Sequence, residues 1–382
     1  MRILVDANVP AAETCFGPLG EVVRLPGRDM AADALRDIDA LVVRSITRVD
    51  EALLAQANKL RFVGTCTIGT DHVDLAALEA RDIGFASAPG CNAEAVVDYV
   101  VGSLATLAER QGWWLSERRV GIVGVGNVGG RLWRRLDAMG IPCLACDPPR
   151  ADTESGADFV DLDTLIDSCD VICLHTPLIE HGEHATRQLL NAERVAALAP
   201  GSVVLNAGRG DCVDGNALRV RLAGRGDITT VLDVWAHEPG IDAALRDLTA
   251  IATPHVAGHS LDGKLRGTHQ VYQALVRHVG LPERVTLGEL LPAPPVARLE
   301  LDGGLTAEEA LRLSLRAVHD VRRDHDSLQR EIRRQGVAKG FDHCRANYPL
   351  RREFATLEID LKSGAKSLAP LLTGAGFRVA NG

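Results

Sequence analysis

Three side chains in the second half of the chain, Arg209, Glu238 and His255, have the types and placement for acid–base chemistry on an alcohol. Each lies just after an apolar run that reads as a β-strand: Arg209 in NAGRGD, Glu238 in DVWAHEP and His255 in TPHVAG. An imidazole can take a hydroxyl proton near neutrality. A carboxylate beside it favours the protonated ring that results. A guanidinium can hold a substrate carboxylate by paired hydrogen bonds and polarise the reacting carbon–oxygen group. Singly, an Arg after a strand is usually a surface ion pair and a His is more often structural. On one sheet edge, the three together make a site. His72, His175 and His259 compete for the role of base, and His175 has no carboxylate in a comparable loop.

An alcohol that loses its proton can also lose hydride, and the chain carries the turn that binds a hydride acceptor. In VGIVGVGNVGG the apolar strand residues Val120, Ile122 and Val123 run into Gly124, Gly126, Asn127, Val128 and Gly129. Leu132, Trp133, Leu136 and Met139 then recur at helical spacing. Gly124 permits the turn, Gly126 lets backbone approach a pyrophosphate, and Gly129 lets helix pack on strand. Amides at the helix start face the phosphates. A second strand, from Pro142 to Cys146, ends in Asp147, where a carboxylate accepts ribose hydroxyls. A carboxylate there repels a 2′-phosphate, so the expected cofactor is NAD rather than NADP.

The elements around these residues follow from composition and period. At 382 residues the chain should hold two or three domains. No apolar run is long enough to span a bilayer, and the opening MRILVDANVP reads as a first strand rather than a signal peptide. Nine scattered cysteines in apolar segments suggest reduced core thiols and the cytoplasm. Cys143 and Cys146 form a CxxC without a second pair, so no metal is expected. A net charge of −9 argues against nucleic-acid binding. From Thr306 onward the balance is +4, against −13 for the rest, which suits an acidic partner surface, an anionic substrate or a solvated face.

The expected fold is α/β, with two Rossmann-like doubly wound parallel-sheet domains and a C-terminal α+β dimerisation domain. ILVDA, EVVRL, ALVVRS, FVGTC and GFASA give strands of a first domain over 1–93 and 256–286. Arg44, Ser45 and Thr67 follow two of them, at the strand ends where ligands bind in open parallel sheets. VGIVG, PCLAC, VICLH, SVVLNA and TTVLDVW give the NAD-binding domain over 94–255. Helices over about 92–109 and 261–279 should cross between the two. A proline-rich stretch from Pro282 to Pro295 leads to a third domain, 287–382, with alternating strands RLELD and FATLEIDL of antiparallel character and no catalytic constellation.

The motifs GTDHVD, VGIVGVGNVG, LHTPL, NAGRGD, DVWAHEP and TPHVAG, in that order and spacing, resemble the D-isomer-specific 2-hydroxyacid dehydrogenase family. The resemblance implies NAD-dependent oxidation with Arg209, Glu238 and His255 as the catalytic set. It implies that Asp147, Thr176, Ala207, Gly208, Arg209, Asp233 and Gly258 line the cofactor site, and that Ser45 and Thr67 touch substrate in a cleft between the first two domains. A Tyr is expected after Gly258 where this chain has His259, so either His259 makes that substrate contact or the contact is lost. Further runs, including HDVRRD and FDHCRANYPLRRE, resemble a branch of the family with a third domain. That branch implies a small phosphorylated hydroxy acid as substrate and a homodimer through the C-terminal domain, without nucleic-acid or membrane partners. The phosphate would then need cations: Arg44, or Arg345, Arg351 and Arg352 of the partner subunit. A phosphoglycerate or D-lactate dehydrogenase, or an NAD(H)-sensing module, are the alternative readings.

Overall fold

A computed structural model describes residues 1–154 and 158–380. The chain forms two compact units, 1–92 with 260–293, and 93–259 with 294–382.

The first unit is a five-stranded parallel sheet of β1 (Arg2–Asp6), β2 (Glu21–Leu25), β3 (Ala40–Val43), β4 (Phe62–Thr65) and β5 (Gly84–Ala86), in the order β2-β1-β3-β4-β5. Every residue of β3 and β4 is buried, as expected of strands covered on both faces. The helix Leu261–His278 supplies part of that cover, setting Val271, Tyr272, Leu275 and Val276 against Ile3, Val5 and Phe62. Ser260 starts this helix by accepting the Gly263 amide on its hydroxyl at 2.8 Å.

The second unit is built on a six-stranded parallel sheet: β6 (Val120–Val123), β7 (Cys143–Cys146), β8 (Val171–Leu174), β9 (Val203–Asn206), β10 (Thr229–Leu232) and β11 (Ile251–Ala252). Its order is β11-β10-β9-β8-β6-β7, so strand order reverses between β6 and β8, where doubly wound sheets bind ligands. The two-residue β11 ends just before His255, where the sequence places a strand.

The C-terminal segment carries β12 (Arg298–Leu301), β13 (Glu358–Leu361) and β14 (Arg378–Val379), in the order β12-β13-β14. Both pairings are parallel, which corrects the antiparallel expectation. Alternation marks a half-buried strand without fixing its direction. Direction follows from the connections, and here helices 307–318, 321–335 and 337–346 separate β12 from β13, room enough for a crossover. The segment shares a core with the large sheet: Leu311, Leu315, Phe354, Ile359 and Phe377 join one cluster with Val120, Ile122 and Val171 around the buried helix Ala93–Gln111. Among the described residues no helix is long and apolar enough to cross a membrane.

Candidate active site

The glycine turn closes β6 onto the helix Gly129–Ala138. Gly124 has φ +83°, where a side chain is strained. A Cβ on Gly129 would overlap the Gly124 carbonyl oxygen, whereas one on Gly126 would meet only open space. The turn is therefore tight against its own strand and open on the outside, as a pyrophosphate cradle requires. Asn127 is exposed at its tip and Val128 is half-buried.

Asp147 stands beside the turn because β7 runs next to β6. Its Oδ2 accepts the Val125 amide at 2.7 Å and its Oδ1 the Arg150 amide at 3.3 Å. An ionised carboxylate has about four acceptor sites, so two remain for ribose hydroxyls. Arg150 is the cation that could serve a 2′-phosphate. It instead donates to the Val125 carbonyl at 2.7 Å and forks onto Glu154 through two bonds of 2.7 Å. These residues fit NAD. Asp147→Ala should weaken NAD binding about tenfold to a hundredfold, the range of a charge-assisted bond of about 1.5–3 kcal/mol. Titration of protein fluorescence with NADH measures it.

The loops after β8, β9, β10 and β11 gather at the same edge. Thr176 is buried and donates to Cys212 Sγ at 3.4 Å. His175 beside it is half-buried, with both ring nitrogens shielded from solvent and without a hydrogen-bond partner, and burial pushes it down to about 4. A histidine held neutral in an apolar site is not the base. His72 lies in the other unit, lowered by burial and set at 2.9 Å from Thr65 Oγ1. After β9, Ala207 donates its amide to the Leu174 carbonyl at 3.3 Å. The Asn206 side chain clamps the next turn, accepting the Gly208 amide at 3.0 Å and donating to the Arg209 carbonyl at 2.9 Å. Arg209 is half-buried, with Nη1 on the Gly208 carbonyl at 2.9 Å.

Asp233 is buried at the end of β10, and its carboxylate staples the last loop. Oδ1 accepts the Thr253 hydroxyl at 2.7 Å and the Val256 amide at 2.8 Å, and Oδ2 accepts the Ala257 amide at 2.9 Å. The loop so held presents His255, whose backbone is left-handed at φ +56°. Such a conformation costs energy in a residue other than glycine, and it persists because neighbours over-determine it. Gly258 and His259 are half-buried just beyond, with the His259 ring edge-on to Tyr348 at 5.5 Å.

The turn after β10 brings Glu238 to this histidine. Glu238 Oε1 accepts the Trp235 amide at 2.9 Å, and Oε2 lies 2.8 Å from His255 Nδ1. Burial alone would raise the Glu238 carboxyl, but His255, the Trp235 amide and Arg345 outweigh it and hold it below its ordinary value. An ionised carboxylate only accepts, so Nδ1 carries the proton and Nε2 is left with its lone pair.

The C-terminal segment reaches this loop, which sequence reading did not foresee. Arg345 Nη1 lies 3.4 Å from Glu238 Oε2. Arg351 is 1% exposed and donates to the carbonyls of Ala257 at 2.9 Å, Val256 at 3.4 Å and Ala95 at 2.5 Å. Arg351 is therefore not placed to serve as a phosphate ligand for a second subunit: it is buried, and its Nη1 and Nη2 are engaged by carbonyls of its own chain. Arg352 is buried as well.

In the first unit, Arg44 and Ser45 follow β3, and Thr67 follows β4 with its hydroxyl 2.7 Å from Thr65 Oγ1 and 2.9 Å from the Gly69 carbonyl. Lys264, not singled out from sequence, sits in the first turn of the helix Leu261–His278. Burial, with the Arg44 charge adding to it, pushes Lys264 down to about 8. Among the described residues no group of three or more His, Cys, Asp or Glu side chains is placed to hold a metal ion.

A family model described as D-isomer specific 2-hydroxyacid dehydrogenase, NAD binding domain, matches residues 98–257, and one for a domain of unknown function matches residues 290–374. The chain is 58% identical to the erythronate-4-phosphate dehydrogenase of Chromohalobacter salexigens, covering 99% of each chain. It is 52% identical to that of Azotobacter vinelandii, over 98% of this chain and 99% of the relative. Among solved structures, the TT0316 protein of Thermus thermophilus superposes with a TM-score of 0.63 at 27% identity, covering 74% of this chain and 98% of that one. The NAD-bound 3-phosphoglycerate dehydrogenase of Entamoeba histolytica shares the fold, with a TM-score of 0.63 at 21% identity over 73% of this chain and 95% of that one.

Proposed function

The chain belongs to the erythronate-4-phosphate dehydrogenase family, and from that premise we propose that it oxidises 4-phospho-D-erythronate to 2-oxo-3-hydroxy-4-phosphobutanoate, a step of pyridoxal 5′-phosphate synthesis. The cofactor is NAD, which when bound accepts the hydride that leaves C2. The observation that carries the reading is the His255–Glu238 pair at 2.8 Å, on the same sheet edge as the open glycine turn. His255 Nε2 takes the C2 hydroxyl proton, and Glu238 stabilises the imidazolium until that proton passes to solvent. Arg209, its backbone fixed by Asn206, holds the substrate carboxylate and polarises the C2 oxygen as it becomes a carbonyl. Asp147 holds the ribose, and the loops at Thr176, Ala207, Gly208 and Gly258 line the cofactor. Asp233 acts on the same side by fixing the loop that carries His255.

Ser45, Thr67 and Arg44 take the substrate's other polar groups, and Lys264 joins Arg44 as a cation for the phosphate. A bound phosphate favours the Lys264 ammonium, so affinity should be full below about pH 8 and fall above it. The expected result is a KM for the phosphorylated substrate that rises above about pH 8, and a Lys264→Met variant with a raised KM at neutral pH and no such rise. The C-terminal segment, 287–382, is proposed to carry a homodimer contact, measurable by light scattering, and the cytoplasm is the proposed compartment. Formation of NADH with 4-phosphoerythronate, 3-phosphoglycerate and D-lactate in parallel tests the substrate. Selective turnover of the first is expected. Turnover of 3-phosphoglycerate in its place would keep the family chemistry and overturn the substrate.

A further inference from the structure

Arg345 belongs to the helix Val337–Ala346, in the segment matched by the domain of unknown function. Phe341, one turn earlier on the same face, is fully buried and anchors that helix in the core. The Arg345 guanidinium lies over the Phe341 ring, 5.9 Å from its centroid, and so is directed toward the turn after β10. Its Nη1 is 3.4 Å from Glu238 Oε2, the same oxygen that holds His255 Nδ1 at 2.8 Å. The Arg345 and Glu238 side chains are 25% and 19% exposed, so solvent screens the pair only in part.

Resting on the reading above, we propose that Arg345 is a positioning residue of the reaction: it shares Glu238 Oε2 with His255, fixes that carboxylate, and tempers its pull on the imidazole. The physical reason is a balance. A carboxylate paired with His255 alone would favour the imidazolium and leave fewer molecules with a free Nε2 lone pair. A guanidinium on the same oxygen draws off part of that negative charge. The neutral ring that must accept the proton is then the resting form further into the acid range. Asp233, at the end of β10, also faces His255, and its carboxylate is committed to Thr253, Val256 and Ala257. Glu238 also accepts the neutral Trp235 amide. Arg345 is thus a cation on the Glu238–His255 pair, and it ties the C-terminal segment to the chemistry.

The test is a titration of the His255 ring in full-length protein labelled with 13C-histidine, followed by NMR and assigned against His255→Asn among the twelve histidines. In Arg345→Met the His255 resonance should titrate higher by about half to one pH unit, and the acid limb of kcat/KM should move the same way. Arg345→Lys should return both in part, because it restores charge without the planar fork. A ring titration unchanged in Arg345→Met would overturn the inference. A ring that shifts as expected, in a protein whose wild type leaves 4-phosphoerythronate unreacted, would support the Arg345 balance and overturn the substrate instead.

Discussion

His255→Asn is expected to lower kcat about a thousandfold while leaving NADH affinity within about twofold of the wild type. Asn is the replacement to use because it tolerates the left-handed backbone at position 255, so the loop keeps its path. Its amide cannot take up a proton near neutrality. Three hydrogen bonds on Asp233 hold the loop independently of the ring, so the variant should fold with its cofactor turn intact. Steady-state kinetics and NADH titration on one preparation separate the two effects. Equal losses in kcat and in NADH binding would point to a collapsed loop.

Arg351→Ala is expected to cost about 3–5 kcal/mol of stability, among the largest effects of any single change in this chain. Among the described residues Arg351 is the largest fully buried side chain, and its guanidinium ties two carbonyls just past His255 to the first turn of the helix Ala93–Gln111. Truncation removes those charge-assisted bonds and leaves a cavity. Arg351→Lys should recover little, because an ammonium cannot span carbonyls on two elements. The urea midpoint measures the loss. A kcat that falls well below the wild-type value in the fraction still folded would show that Arg351 also holds the catalytic loop in place.

Much of the framework was legible because short periods report local structure. The apolar runs before Asp6, Val43, Thr65, Val123 and Leu174 are strands buried on both faces, and that burial requires such runs. The glycine turn was legible because Gly124 and Gly129 have no sterically acceptable substitute. The approach of Glu238 to His255 could be anticipated because both lie just past strands of one parallel sheet. Sequence pattern failed where contact is long-range. Nothing local marks Arg345 as facing a carboxylate about a hundred positions earlier, or Arg351 as buried rather than solvated. The third sheet was misread in direction for the same reason, since alternation in RLELD and FATLEIDL says which face is buried and nothing about which way the neighbouring strand runs. Lys264 escaped notice because its environment is set by burial in the fold and by Arg44, far away in sequence.

The central claim is that hydride leaves C2 of 4-phosphoerythronate for the cofactor while the hydroxyl proton leaves for the protein. The most direct measurement is turnover of substrate carrying deuterium at C2, with mass analysis of both products. The account predicts deuterium in the reduced nicotinamide, none in the keto acid, and a slower rate of the chemical step. Deuterium retained in the organic product, or released to water, would contradict it.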